Sequence, residues 1–480
     1  MTENVEINLE DFEEIDVTPS KLFDLPKLCT VLSLDKIHDV MRSQDSKSLD
    51  EAFGGELPIS TFENPDSRSF AFNIFGDFLT LRFHFCKIGG SLYGYDEASG
   101  IYKSDEYFLH GLMLKVIPSL TDTRRKEVLK YLRCSLKTPE RELAEPRYIP
   151  FKSLIYDLAG DEYIPYSPEW VFTCKFNVDY IPNQVRQVKV EQMIKDIGDN
   201  DEDIIELIYE AIGSCFYLTN VYRGSFLFYS PSGQNGKSTL LNLISQVMGK
   251  DNIAHLSLSD TAERFRLAEL QGKVANLGDD ISSNFLPDTS TLKKIITGEP
   301  VIAERKGQDP ISFTPYCKLF FALNGLPPVA DRSRAFFSRV LIIPLTADFS
   351  GQNKDVSLKN KRWTDDELNY IATLSVEALK RLIARGDYIH PAKVIEATRD
   401  FEESNNPILQ FIEDFDEPIA GLPTGYVYSQ YKLFCEDNGQ KGILSQRRFT
   451  AEVCTELNLT IKSGRHQKLA GKVGRLFVEK

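Results

Sequence analysis

Apolar residues fall along this chain in two rhythms: short unbroken runs that read as strands, and spacings of three and four that read as helices. Between about 70 and 180 the two alternate. Leu92-Tyr-Gly-Tyr95 and Ile101-Tyr102 flank the turn residues Asp96 to Gly100, which predicts a hairpin. Helical spacing follows at 106–117 and 123–132, then a second hairpin from Ile155 to Pro165. A polar, acidic stretch from Lys195 to Asp203 reads as a domain boundary, and a helix begins near Ile204. Three apolar runs come next, Ser225 to Ser230, Val274 to Gly278 and Cys317 to Leu323, with a fourth at Val340 to Pro344. Thr364-Asp-Asp-Glu367 has capping-box spacing and opens a long amphipathic helix that stops at Gly386. Glu403 to Pro407 is linker chemistry, and 408–480 is enough for one small domain.

The loop after the first apolar run changes this from a fold reading to a chemical one. Pro231-Ser-Gly233-Gln234-Asn235-Gly236-Lys237-Ser238-Thr239 lies between a strand and a helix of Leu240, Leu241, Leu243, Ile244 and Val247, the context a Walker A phosphate loop requires. Backbone N–H groups of Gly233 to Gly236 and the positive end of the helix would cradle phosphates. Lys237 would reach the β- and γ-phosphates of ATP, and the Ser238 hydroxyl would ligate Mg²⁺. The usual first glycine of the motif is Pro231 here, so the strict pattern fails at that position.

The later strands supply candidate partners. Asp279 and Asp280 end the second run: Asp279 is assigned to the metal and Asp280 to the attacking water. Asn324 ends the third, where an amide could sense the γ-phosphate or merely cap the turn into Gly325. Arg339 opens the fourth and could enter a neighbour's ATP site, with Arg332 and Arg334 as rival fingers. Lys237 to Asp280 spans 43 residues, Asp280 to Asn324 another 44, and Asn324 to Arg339 only 15, a compact ATPase core.

At these residues the sequence resembles the superfamily 3 helicases, most closely the phage and plasmid primase-helicase family, with the papillomavirus replicative helicase as a more distant relative. Gln234 to Thr239, Ala275 to Asp280, Leu292 to Gly298, Phe321 to Pro327 and Ser338 to Val340 carry the resemblance, which is weaker over 90–170. It implies an AAA+ P-loop ATPase core, placed over 201–390 of an α/β chain. The residue pattern itself gives an α+β N-terminal domain over 1–200 and, after a linker, two helices and two strands that suggest a winged helix within 391–480. The resemblance further implies a hexameric ring that hydrolyses ATP and translocates 3′ to 5′ on single-stranded DNA. By position, Lys237 and Ser238 are the Walker A pair, Asp279 and Asp280 the acidic pair, Asn324 the sensor and Arg339 the finger acting across subunits. The acidic pair is Asp-Asp, as in viral relatives, where phage members more often have Asp-Glu.

Charge at first sight opposes this. The chain has 56 Lys and Arg against 70 Asp and Glu, a net of -14, and seven acidic side chains in its first twenty residues read as a solvated arm. Yet residues 441–480 hold nine basic and three acidic residues, so a basic tail is hidden in an acidic total. Contact with single- and double-stranded DNA is therefore expected in two places. One is a hairpin from Gly298 to Phe313 with Arg305 and Lys306 at its tip; the resemblance places Lys306 on the pore-lining, DNA-contacting lysine. The other is the winged helix, with Arg447 and Arg448 at the start of the recognition helix and Lys462 and Arg465 on the wing. Eight scattered cysteines suggest reduced thiols and no zinc site. No membrane span or signal peptide is read, so a cytoplasmic protein of a bacterial host is expected. No apolar-flanked Asp-x-Asp pair marks a fused primase, which makes a separate primase a candidate partner. Two other readings stay open: an initiator that melts an origin with little processive unwinding, and a DNA-binding regulator whose P-loop switches assembly.

Overall fold

The computed structural model describes residues 55–64, 66–281, 285–307, 310–331, 333–350, 358, 360–438 and 443–480. The acidic arm and Arg332 lie outside them, as does Lys441 of the basic tail. The chain divides into two compact units, one of residues up to Gly94 with Ser104–Pro139, the other of Tyr95–Lys103 with Glu140–Lys480.

The first unit is built on three helices, Phe72–Arg82, Glu106–Val116 and Asp122–Cys134. Phe62, Phe75, Phe78, Leu109, Met113, Val128 and Leu132 interlock in its core, with the Phe62 ring edge-on to Phe75. The second helix starts where it does because the Asp105 carboxylate accepts the N–H of Phe108, satisfying one of the free donors of its first turn.

In the second unit, helices α1 (Val188–Ile197) and α2 (Glu202–Phe216) precede strand β1 (Ser225–Tyr229) and helix α3 (Lys237–Met248). Then come β2 (Ile253–Ala254), β3 (Ala275–Ile281), α4 (Ser290–Thr297), the hairpin strands β4 (Val301–Ala303) and β5 (Ile311–Phe313), β6 (Lys318–Leu323) and β7 (Val340–Pro344). Strands β7-β1-β6-β3-β2, in that order, form a five-stranded parallel sheet. The apolar runs Phe226 to Tyr229, Leu319 to Leu323 and Val340 to Pro344 are unbroken because both faces are covered. Phe226, Phe228, Phe320, Ala322, Leu341 and Ile343 enter one core with α1, α2, α3 and α5 (Asp365–Arg385). Their alternates Leu227, Leu319, Phe321, Leu323, Val340 and Ile342 enter the other.

The polar stretch at 195–203 lies inside this unit, not between units. The first core runs without a break from Ile149 through Ile197 and Ile204 to Val394. Its acidity is capping chemistry: the Asp201 carboxylate accepts from Ile204 N–H at 3.2 Å to start α2, while Asp199 and Asn200 take left-handed backbone in the turn. Helix α5 carries the full capping box between Thr364 and Glu367 and ends on left-handed Gly386.

Beyond it, α6 (Ala392–Ser404) still packs on the sheet, with Val394 in the first core and Phe401 in the second. Then α7 (Pro407–Asp414), α8 (Thr424–Asp437), α9 (Gln446–Glu456) and the antiparallel pair β8 (Leu459–Arg465) and β9 (Val473–Glu479) enclose a separate core of Ile408, Phe411, Val427, Tyr431, Phe449, Val453 and Phe477. Among the described residues, no helix is long and apolar enough to cross a membrane.

Candidate functional site

The carboxyl ends of β1, β3 and β6 meet at the loop from Ser230 to Gly236, the end of an open parallel sheet where ligands bind. The loop is pinned at its start, where Ser230 N–H donates to Leu323 O at the end of β6. It turns through two left-handed residues, Gln234 and Gly236. Gly236 is required twice over: its φ is 82°, and a Cβ there would sit 2.6 Å from Ile197 of α1. Gly233 has neither constraint, because a Cβ there would meet no atom of the described residues within 4 Å, so packing alone does not demand it. Asn235 is buried, and its amide donates to Ala347 O at 2.8 Å and to Ser232 Oγ at 3.2 Å, stapling the loop to the segment after β7.

Lys237, the first residue of α3, curls back over this loop. Its ammonium lies 3.3 Å from Ser230 O and 3.4 Å from both Ser232 O and Asn235 Oδ1. All three contacts are long, and a phosphate oxygen could approach the ammonium more closely. Ser238 follows on the same turn and its hydroxyl donates to Asp279 Oδ1 at 3.3 Å. Thr239 is half-buried beside it.

The acidic pair sits on an irregularity. Against β6, Phe321 pairs with Gly278 but Leu323 pairs with Ile281, so β3 spends one extra residue at Asp279-Asp280. Such a bulge breaks strict alternation and re-aims side chains at a sheet end. Asp279 is exposed there, and the side chain of Asp280 lies outside the described set. The oxygens of Ser238 and Asp279 are hard donors, few in number and open to water, a set that fits Mg²⁺ with most of its waters retained. Asn324 is exposed one residue beyond β6, directly after the Leu323 carbonyl that pins the loop. Lys237, Ser238, Asp279 and Asn324 are thus gathered at one end of the sheet.

Arg339 is at the other end. It precedes β7, and its carbonyl accepts from Ser225 N–H at the start of β1. The length of β1 separates it from its own phosphate loop, about 13 Å at the usual strand rise. Its guanidinium donates to Ala335 O, while Nε is buried with no hydrogen-bond partner among the described residues. Arg334 is exposed on the short helical turn Arg334–Phe337.

The hairpin is present with Val301 opposite Phe313 and Ala303 opposite Ile311, which leaves Arg305 and Lys306 exposed near the tip and Gly307 left-handed beside them. Arg305 donates to Gln271 at 3.0 Å, and Glu304 bonds Arg264 through both backbone and side chain. In the C-terminal part, Arg447 and Arg448 are exposed in the first turn of α9, and Lys462 and Arg465 are exposed along β8. Two cations at a helix N-terminus oppose the helix dipole, so folding does not favour them there; they add to an already positive end that suits phosphate.

Sequence reasoning missed two polar residues around this sheet. Asn276 is fully buried on β3 and its amide bonds both backbone groups of Leu256, at 2.7 and 3.0 Å, extending the edge of the sheet. A polar residue inside an apolar strand was the available signal. Asp331 had none; it collects Lys293, Thr289 and Ser333 as donors.

Comparison with known families places three matches in chain order. Residues 77–200 match a family described as D5 N terminal like, 228–339 a family of unknown function (DUF5906), and 403–463 the Poxvirus D5 protein-like family. Two of the three are D5-like, one on each side of the unassigned match. Among curated relatives, a candidate helicase of Acanthamoeba polyphaga mimivirus is 23% identical over 62% of this chain and 34% of its own length. The candidate helicase V13 of Sputnik virophage is 21% identical over 81% of this chain and 55% of its own, and that of Frog virus 3 is 21% identical over 49% and 27%. The chain spans between about a quarter and about half the length of these three relatives. Among solved structures, the apo NrS-1 C-terminal region aligns at a TM-score of 0.49 and 11% identity, covering 82% of this chain and 96% of that one.

Proposed function

We propose that the protein is an ATP-dependent DNA helicase that acts in replication of a virus or mobile element. The observation that carries this reading is the meeting of Lys237, Ser238 and Asp279 at the carboxyl end of a parallel sheet, in the unit that also bears the Arg305-Lys306 hairpin. The viral helicase relatives support the same reading.

In this mechanism Lys237 binds the β- and γ-phosphates of ATP, and the loop N–H groups and the α3 N-terminus complete the cradle. Ser238 and Asp279 hold Mg²⁺, which when bound neutralises phosphate charge. Asp280 orients the attacking water and Asn324 registers the γ-phosphate. Arg339 lies too far from its own loop to serve it, so it reaches the site of the next subunit in a ring, which we take to be a hexamer. Each hydrolysis then moves the Arg305-Lys306 hairpin along one strand in the 3′ to 5′ direction, tracking phosphates without reading bases. The C-terminal helices and β8-β9 act as a winged helix that grips duplex DNA through Arg447, Arg448, Lys462 and Arg465.

Strand displacement on forked DNA tests the proposal. ATP-dependent release of the labelled strand is expected, with none from Lys237→Ala. DNA binding and origin opening without release would replace it with the initiator reading.

A further inference from the structure

The segment between β6 and β7 begins at Asn324, passes through Pro327 and Pro328, and ends at Asp331. Two prolines limit its backbone freedom, and what remains is tied on three sides. Towards β3, Leu286 N–H donates to Pro328 O at 2.8 Å and Ala330 N–H returns to Leu286 O at 3.0 Å, a parallel bridge between Leu286 and Val329. Towards the C-terminal helices, buried Val329 donates its N–H to Asn405 Oδ1 at 2.8 Å. Asn405 sits in the junction of α6 and α7; its amide donates to Phe401 O, and the Phe401 ring meets Phe337 edge-on at 5.6 Å. Towards the hairpin, the Asp331 carboxylate accepts from Lys293 Nζ at 2.6 Å and Thr289 Oγ1 at 2.7 Å. Thr289 is the buried N-cap position of α4, and α4 leads through Gly298 into β4. Burial opposes the Asp331 charge, but the bonds from Lys293, Ser333 and Thr289 outweigh it and hold the carboxyl well below the usual range.

Resting on the helicase reading above, we propose that Asn324 to Asp331 is a strap coupling the nucleotide site to both DNA-contacting parts. Asp331 and Asn405 are its positioning residues. A stiff segment that leaves β6 at Asn324, directly after the Leu323 carbonyl that pins the loop, cannot shift without pulling on α4 through Asp331 and on the α6–α7 junction through Asn405. The bonds of both residues given above go to groups outside the 230–239 loop, so each would act on how ATP turnover responds to DNA and not on turnover itself.

The test uses the full chain and measures ATPase with and without oligo-dT in the wild type, Asp331→Ala, Lys293→Ala, their double variant, and Asn405→Leu. Basal turnover is expected to stay within about twofold, while stimulation by DNA falls by about tenfold, the scale of residues that modulate coupling. The Asp331–Lys293 double is expected to be no worse than Asp331→Ala alone, because the aspartate variant already removes the Lys293 contact together with those to Thr289 and Ser333. Equal loss of basal and stimulated rates would assign these residues to stability alone and overturn the proposal. So would unchanged stimulation in a DNA-responsive protein. A wild type that hydrolyses ATP without responding to DNA would instead remove the helicase reading, and the strap's role with it.

Discussion

The Ser238 hydroxyl and the Asp279 carboxylate face each other across 3.3 Å, joining the first turn of α3 to the bulged end of β3. This pairing is what a magnesium site built from one hydroxyl and one carboxylate needs. Asp279→Asn is expected to keep nucleotide binding and lower Mg²⁺-dependent turnover by about a hundredfold, the scale of losing one electrostatic contact in a site. Fluorescent-nucleotide titration beside an ATPase assay checks it. Full turnover in the variant would remove Asp279 from the metal.

Arg339 and the phosphate loop stand at opposite ends of the same sheet. Arg339→Ala and Lys237→Ala are each expected to be inactive alone. Mixed in equal amounts they should regain ATPase, because random assembly places an intact loop beside an intact finger at about a quarter of interfaces. If mixing restores nothing, the arginine does not act across subunits.

Lys318 is buried at the start of β6, with its ammonium donating to Thr219 O and Asn220 Oδ1 at 2.5 and 2.6 Å. Desolvation pulls it down to about 8. A depressed lysine binds fewer protons folded than unfolded between its two values, so stability should rise with pH from about 8 towards 10.5, where the unfolded side chain titrates. The gain amounts to about 3 kcal/mol at most. Urea unfolding of wild type and Lys318→Met across that window should show the rise only in the wild type.

Arg447 and Arg448 crown the N-terminus of α9. Replacing either by Ala should weaken duplex binding uniformly across sequences and reduce the slope of log K against log salt by about 1, if each meets one phosphate. A slope that does not move would leave this helix to protein contacts.

Much of this arrangement is legible in the sequence because of how it is buried. A parallel sheet covered on both faces leaves unbroken apolar runs such as Leu319 to Leu323, and the phosphate loop announces itself by the strand before it and the helix after it. The capping box at Thr364 and the hairpin at 301–313 follow local rules and form as expected. What pattern could not supply is anything set by register or distance. The extra residue of β3 at Asp279-Asp280 exists only relative to β6. The bond from Val329 to Asn405 spans 76 positions, and Glu403 to Pro407, legible as linker, supplies a buried contact's acceptor. The acidic stretch at 195–203 misled because helix caps and linkers use the same residues.

Gly236 rests against Ile197, and Gln234 O accepts from Phe349 N–H, so the phosphate loop is braced by segments on both sides of its own motif. A recombinant ATPase fragment begun at residue 201 would therefore keep every residue of the nucleotide motifs and still lose the wall behind the loop. The smallest piece that retains that wall must start before α1, the core shared with Ile149, Phe151 and Tyr156 moves the cut upstream to about 140, and keeping Tyr95–Lys103, which belongs to the same unit, moves it upstream of 95.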